Sequence, residues 1–111
     1  MSGDGRPFEL EMDVEESERA LSAGSARLLD VREEWEFRRR RAPGAMLVPL
    51  AQLPQRAPEL PADKRILVIC EHGNRSLVAA EYLRRLGFAD AASVRGGMAA
   101  WARANKTVEE G

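Results

Sequence analysis

Residues 66–69 read Ile-Leu-Val-Ile, an unbroken aliphatic run between a Pro61-Ala62-Asp63-Lys64 turn and the polar residues that follow Cys70. A strand with one wet face alternates apolar and polar residues. A continuous run is instead the pattern of a parallel strand covered on both faces, because crossover helices pack on each side of a parallel sheet. This run therefore calls for a sheet sandwiched between helices.

The rest of the chain supplies the alternating elements such a sheet needs. Phe8 to Met12 alternates as a half-exposed strand, and Val14 to Ala23 carries a helical pattern closed by Gly24. Arg27 to Val31 reads as a second strand. Glu33 to Arg40 reads as a helix, with Glu34/Arg38 and Glu36/Arg40 spaced for i,i+4 pairing, and Pro43-Gly44 ends it. Met46 to Val48 is a short strand and Leu50 to about Ala57 a short helix. From about Arg75 a longer helix places Val78, Ala79, Tyr82, Leu83 and Leu86 on one face, with Gly87-Phe88 as a Schellman stop. Ala92-Ser93-Val94 is the last strand, Gly96-Gly97 a tight turn, and Met98 to Ala104 the last helix, whose Trp101 is read as core. The expectation is an α/β fold: a mostly parallel five-stranded sheet with helices on both faces.

At 111 residues, against roughly 100–200 per domain, the chain is read as one domain over residues 8–108 after a flexible start at 1–7. A formal net charge of −1 provides no field to draw in nucleic acid or a membrane surface. No apolar stretch has the length of a signal peptide or a membrane span, so a cytoplasmic location is expected. The four arginines at 38–41 are read as a solvated face, since Glu33, Glu34 and Glu36 share their helix.

Cys70 is the only cysteine and falls at the carboxyl end of the aliphatic strand, where open α/β sheets place their ligands. A free cysteine there is often just a small buried hydrophobe. What shifts the reading is the loop that follows, Glu71-His72-Gly73-Asn74-Arg75-Ser76, which leads straight into a helix. A short loop of this kind turns backbone N–H groups towards one point, with the helix dipole behind them, and Gly73 permits the curl. The expected result is a lowered thiol pKa, helped by Arg75 and opposed by Glu71. His72 is the only histidine and stands beside one cysteine, too few ligands for zinc. It is read as a loop residue that touches substrate; no metal is expected.

Four segments in order resemble the rhodanese-like family: L-L-D-V-R-E-E-W-E-F at 28–37, A-P-G-A at 42–45 followed by Val48-Pro49-Leu50, C-E-H-G-N-R-S at 70–76, and V-R-G-G-M-A-A-W at 94–101. The resemblance runs from about Leu10 to Val108. It implies a single-domain sulfurtransferase without a cofactor. Cys70 would take the outer sulfur of a small donor (thiosulfate, a persulfide or a polysulfide), hold it as a persulfide, and pass it to cyanide, a thiol or a protein. By the same resemblance, residues 71–76 are the substrate cradle, and Asp30 and Arg32 brace the loop.

Two positions depart from the family's pattern. Arg41 stands where many relatives have histidine, which leads to the expectation of an Asp30–Arg41 ion pair. Glu71 stands where thiosulfate-adapted relatives carry a cation, so repulsion of a dianionic donor is expected. Two other readings share the fold. One is a non-catalytic interaction module; the other is a phosphatase or arsenate reductase, but those place an arginine six positions after the cysteine, where this chain has Ser76.

Overall fold

The computed structural model describes residues 9–111. The expected loose start at 1–7, and Phe8, lie outside the described residues. Along the chain run β1 (Glu11–Met12), α1 (Val14–Ser22), β2 (Ala26–Asp30), α2 (Glu34–Arg39), β3 (Arg40–Arg41), β4 (Met46–Leu47) and α3 (Leu53–Arg56), the last flanked by 3-10 turns at Leu50–Gln52 and Ala57–Glu59. Then follow β5 (Arg65–Ile69), α4 (Asn74–Arg85), β6 (Ala92–Val94), α5 (Gly97–Arg103) and β7 (Glu109–Glu110).

Five strands form one parallel sheet in the order β1-β6-β5-β2-β4, so the aliphatic run lies at its centre. Successive side chains of β5 feed opposite faces. Ile66 and Val68 pack with Leu29, Val31, Leu53, Ala79 and Leu83. Leu67 and Ile69 pack with Val14, Leu28, Val94, Met98 and Trp101 on the other side. The four side chains from Ile66 to Ile69 are all buried, and the α/β fold with a five-stranded parallel sheet is as expected. At about 25 cal/mol per Å², burying a side chain of this size contributes roughly 1.5–3 kcal/mol.

Local signals set several boundaries. Asp13 caps α1 by accepting from the Glu16 amide at 2.8 Å. Helix α2 opens with a reciprocal box in which Glu36 accepts from the Glu33 amide at 2.9 Å. The Schellman stop forms as read, with Phe88 N–H to the Leu83 carbonyl at 3.0 Å and Gly87 N–H to that of Arg84 at 3.1 Å.

Other details differ. Helix α4 buries Ser76, Ala79, Ala80 and Leu83, while Val78 and Leu86, assigned to the apolar face, are exposed. Small side chains let this helix lie close against the sheet, and that face wins over the one with larger side chains. Helix α2 ends before Arg40, whose φ of −164° is extended. Arg40 and Arg41 instead pair antiparallel with Glu110 and Glu109, a two-stranded ribbon not anticipated from the sequence. Of the two i,i+4 pairs expected on α2, Glu34–Arg38 forms at 2.9 Å. Glu36–Arg40 does not, because Arg40 has left the helix and Glu36 has a partner elsewhere. Among the described residues no helix is long and apolar enough to cross a membrane.

Candidate active site

Cys70 sits just past β5, at the carboxyl edge of the sheet, and is 1% exposed. Gly73 takes a φ of +99°, a left-handed turn open to glycine at little cost, and this reverses the loop around the sulfur. Two amides then converge on Sγ as donors, that of Gly73 at 3.1 Å and that of Ser76 at 3.3 Å, and the thiol itself donates to the Ser76 hydroxyl oxygen at 3.4 Å. Burial is the largest influence on this thiol and pushes its pKa up. Hydrogen bonds from the Ser76 hydroxyl and from the amides of Ser76, Gly73 and His72 together outweigh it, leaving the pKa below the ordinary thiol value.

The loop is also held from behind. The Met98 amide donates to the Cys70 carbonyl at 2.8 Å and the Ala99 amide to the Glu71 carbonyl at 3.0 Å, so the first turn of α5 spends its free N–H groups on the loop. Gly97 has a φ of +61°, and a Cβ added there would run into the Cys70 and Glu71 carbonyls. The Gly96-Gly97 turn thus provides clearance as well as a change of direction.

Asp30 and Arg32 are buried together where β2 ends. Arg32 donates to the Asp30 carboxylate through Nε at 3.0 Å and Nη2 at 2.8 Å, and Asp30 also accepts from the Arg32 amide at 2.9 Å. The same guanidinium reaches the Arg40 carbonyl at 2.7 Å and Glu71 Oε1 at 3.3 Å. Arg40 completes the chain with a 3.3 Å contact to Glu71 Oε2. Glu71 is therefore flanked by two cations, which offsets the repulsion expected from its charge alone.

The expected Asp30–Arg41 pair is absent. Asp30 is already occupied by Arg32, and on the extended β3 neighbouring side chains point to opposite faces. Arg40 turns to Glu71, while Arg41 turns to Glu109 at 3.5 Å and stacks over the Phe37 ring at 5.2 Å.

Arg75 does not enter the cradle with its guanidinium. It clasps Glu36 with two bonds of 2.7 and 3.0 Å. That hydrogen bonding raises the Arg75 pKa and, against the effect of burial, lowers that of Glu36. His72 and Asn74 are exposed at the rim. A cleft of about 450 Å³ adjoins the loop on the Glu71 side, lined by Arg32, Trp35, Glu36, Arg39, Arg40 and Glu110 as well.

The family model of the rhodanese-like domain matches residues 13–104 of the chain. The chain belongs to the rhodanese-like domain family. This rhodanese-like domain is 34% identical over 87 residues to a protein named sulfurtransferase from Allochromatium vinosum, covering 78% of this chain and 81% of that one. It is also 34% identical over 100 residues to thiosulfate sulfurtransferase GlpE of Vibrio cholerae, covering 90% and 94% of the two chains. The crystal structure of a rhodanese-related protein from Thermoplasma volcanium superposes with a TM-score of 0.84 at 29% identity, over 91% of this chain and 98% of that one.

Within this rhodanese-like domain, three residues near the loop were not read as part of the site from the sequence. Glu36 and Arg40 were read as partners of each other on one helix, whereas each pairs with a residue far along the chain, Arg75 and Glu71. Ser93 had a visible signal: it is a polar side chain in the middle of a fully buried strand, and its hydroxyl lies 2.7 Å from that of Ser76.

Proposed function

We propose that this rhodanese-like domain is a sulfurtransferase in which Cys70 carries a sulfane sulfur between a small donor and a thiophilic acceptor. The observation that carries this reading is the convergence of the Gly73 and Ser76 amides on one buried sulfur, with the Ser76 hydroxyl in hydrogen-bond contact beside them. Donors aimed at one point stabilise a sulfur anion, which is both the attacking species and the leaving group of the reaction.

In the first half-step the Cys70 thiolate attacks the outer sulfur of the donor. A new S–S bond forms, the donor's S–S bond breaks, and the remainder leaves with the electron pair. In the second half-step an acceptor nucleophile, such as cyanide or a thiol, attacks the outer sulfur of the persulfide and the Cys70 thiolate departs. Each half-step exchanges one bond to sulfur for another, so a nucleophile and a good leaving group suffice. Residues 71–76 form the cradle, and Asp30 and Arg32 brace it through Glu71.

The phosphatase or arsenate reductase reading needs a guanidinium pointing into the loop to clamp an oxyanion. Here position 76 is a buried serine and Arg75 is committed to Glu36. A purely docking role gives no reason for a lowered thiol pKa. The test is turnover of thiosulfate, a persulfide and a polysulfide with cyanide as acceptor, comparing wild type and Cys70→Ser. Product from wild type alone supports the proposal; equal rates, or none with any donor, refute it.

A further inference from the structure

The geometry points to Ser93 on β6 as a positioning residue that orients the Ser76 hydroxyl towards the Cys70 sulfur, an inference that rests on Cys70 being the reacting atom. The Ser76 hydroxyl has one proton and two neighbours that could receive it. Ser93 Oγ lies 2.7 Å away and Cys70 Sγ 3.4 Å away. With the sulfur as a thiol, S–H donates to Ser76 Oγ, and the Ser76 O–H donates to Ser93 Oγ. With the sulfur as an anion there is no S–H, so Ser76 donates to the sulfur and Ser93 donates to Ser76. The charge on sulfur thus reverses the direction of both hydroxyls. A second hydroxyl behind Ser76, able either to accept or to donate, keeps the two buried oxygens hydrogen-bonded to each other through the reversal.

Ser93 is well fixed for this task. It is fully buried, its amide is bonded to the Leu10 carbonyl at 2.7 Å, and it pairs in register with Val68 of β5, the strand that leads into Cys70. A chain of two hydroxyls polarised towards an anion is stronger than one hydroxyl alone. Two mutually satisfied buried hydroxyls with no bearing on the sulfur are the plainer reading, and the thiol's own titration separates the two. The charged and titratable groups around the loop are Arg75 of α4, Glu36 of α2, Arg40 of β3, Glu71 and His72 in the loop itself, and Asp30 and Arg32 at the end of β2. None of them has a hydrogen bond to Ser93, so a Ser93 substitution leaves their pairing in place.

The experiment is the pH dependence of Cys70 alkylation by iodoacetamide in the full chain, followed by intact mass. Ser93→Ala is expected to move the profile to higher pH and slow alkylation on its acid side about threefold. Ser93→Gly, which also lacks the hydroxyl, moves it the same way, and Ser93→Thr, which keeps it, restores the wild-type profile. In a Ser76→Ala background, Ser93→Ala adds nothing. A Ser93→Ala profile that overlays wild type overturns the inference, as does an equal displacement in the absence of the Ser76 hydroxyl. Alkylation needs no sulfur transfer, so a failure of Cys70 to accept sulfur would count against the proposed function and leave this relay standing.

Discussion

Glu36 in α2 and Arg75 in the first turn of α4, 39 positions apart in sequence, are locked together by a two-pronged ion pair of 2.7 and 3.0 Å. The pair fastens the start of the helix behind the cysteine loop to the segment that leads into the cleft. Its Glu36 end is mostly covered, with 12% of the side chain exposed, while Arg75 is 37% exposed.

This pair makes stability depend on acid pH. Hydrogen bonding from Arg75 holds the Glu36 carboxyl below its unfolded pKa, against the opposing effect of burial. A folded pKa below the unfolded one gives stability that is fully present above the unfolded value and is lost as pH falls through the folded value. Because Arg75 is partly solvated, the pair contributes about 1 kcal/mol. Glu36→Gln should therefore lower Tm by about 4–8 °C at pH 7. The gap to wild type should begin to close below about pH 4 and vanish as pH falls through the lower folded value. Thermal melts across pH measure this, and a gap that stays constant into acid would contradict it.

Arg32 is buried against Asp30 and is the bridge from β2 to Glu71 and Arg40. Removing one partner of a buried pair leaves an uncompensated charge and costs about 3–5 kcal/mol. Arg32→Met should fall in that range by urea denaturation. The Asp30→Asn, Arg32→Met double variant should be less destabilised than Arg32→Met alone, since it buries no lone carboxylate. A double variant that merely sums the two single losses would show that the pair's charges are not what matters.

In the proposed sulfur transfer, Glu71 is expected to shape donor preference through a charge that Arg32 and Arg40 partly offset. Replacing it with glutamine leaves Arg32 tied to Asp30 and frees Arg40 beside the loop. Glu71→Gln should raise kcat/KM for thiosulfate by about threefold to tenfold, the size of effect expected from one screened charge a few ångströms away. A monoanionic persulfide donor should gain less. The comparison is made at two salt concentrations, and the gain should shrink at the higher one. Equal gains for both donors would remove Glu71 from any role in selecting them.

The parts of this fold that could be read in the sequence are those written locally. Ile66 to Ile69 announce a doubly covered strand by continuity alone, Gly73 marks a loop that must curl, and Gly87-Phe88 marks a helix stop. The site's wider network was hidden because it depends on which elements the sheet brings together. Glu36 finds Arg75, and Arg40 finds Glu71, only once α2 and β3 lie over the end of β5. The same cause undid the Asp30–Arg41 expectation: two complementary charges do not reveal that Arg32, two residues from Asp30, already occupies the carboxylate. On α4 the larger apolar residues Val78 and Leu86 suggested the buried face, whereas close approach to the sheet selected Ser76, Ala79 and Ala80.

The central claim is that Cys70 is the atom that holds transferred sulfur. Its most direct test is the intact mass of the protein after incubation with a sulfur donor, and again after addition of cyanide. The account predicts a gain of one sulfur atom in wild type, none in Cys70→Ser, and return to the original mass once cyanide is present. A gain that persists in Cys70→Ser, or no gain in wild type with thiosulfate, a persulfide or a polysulfide, would contradict it.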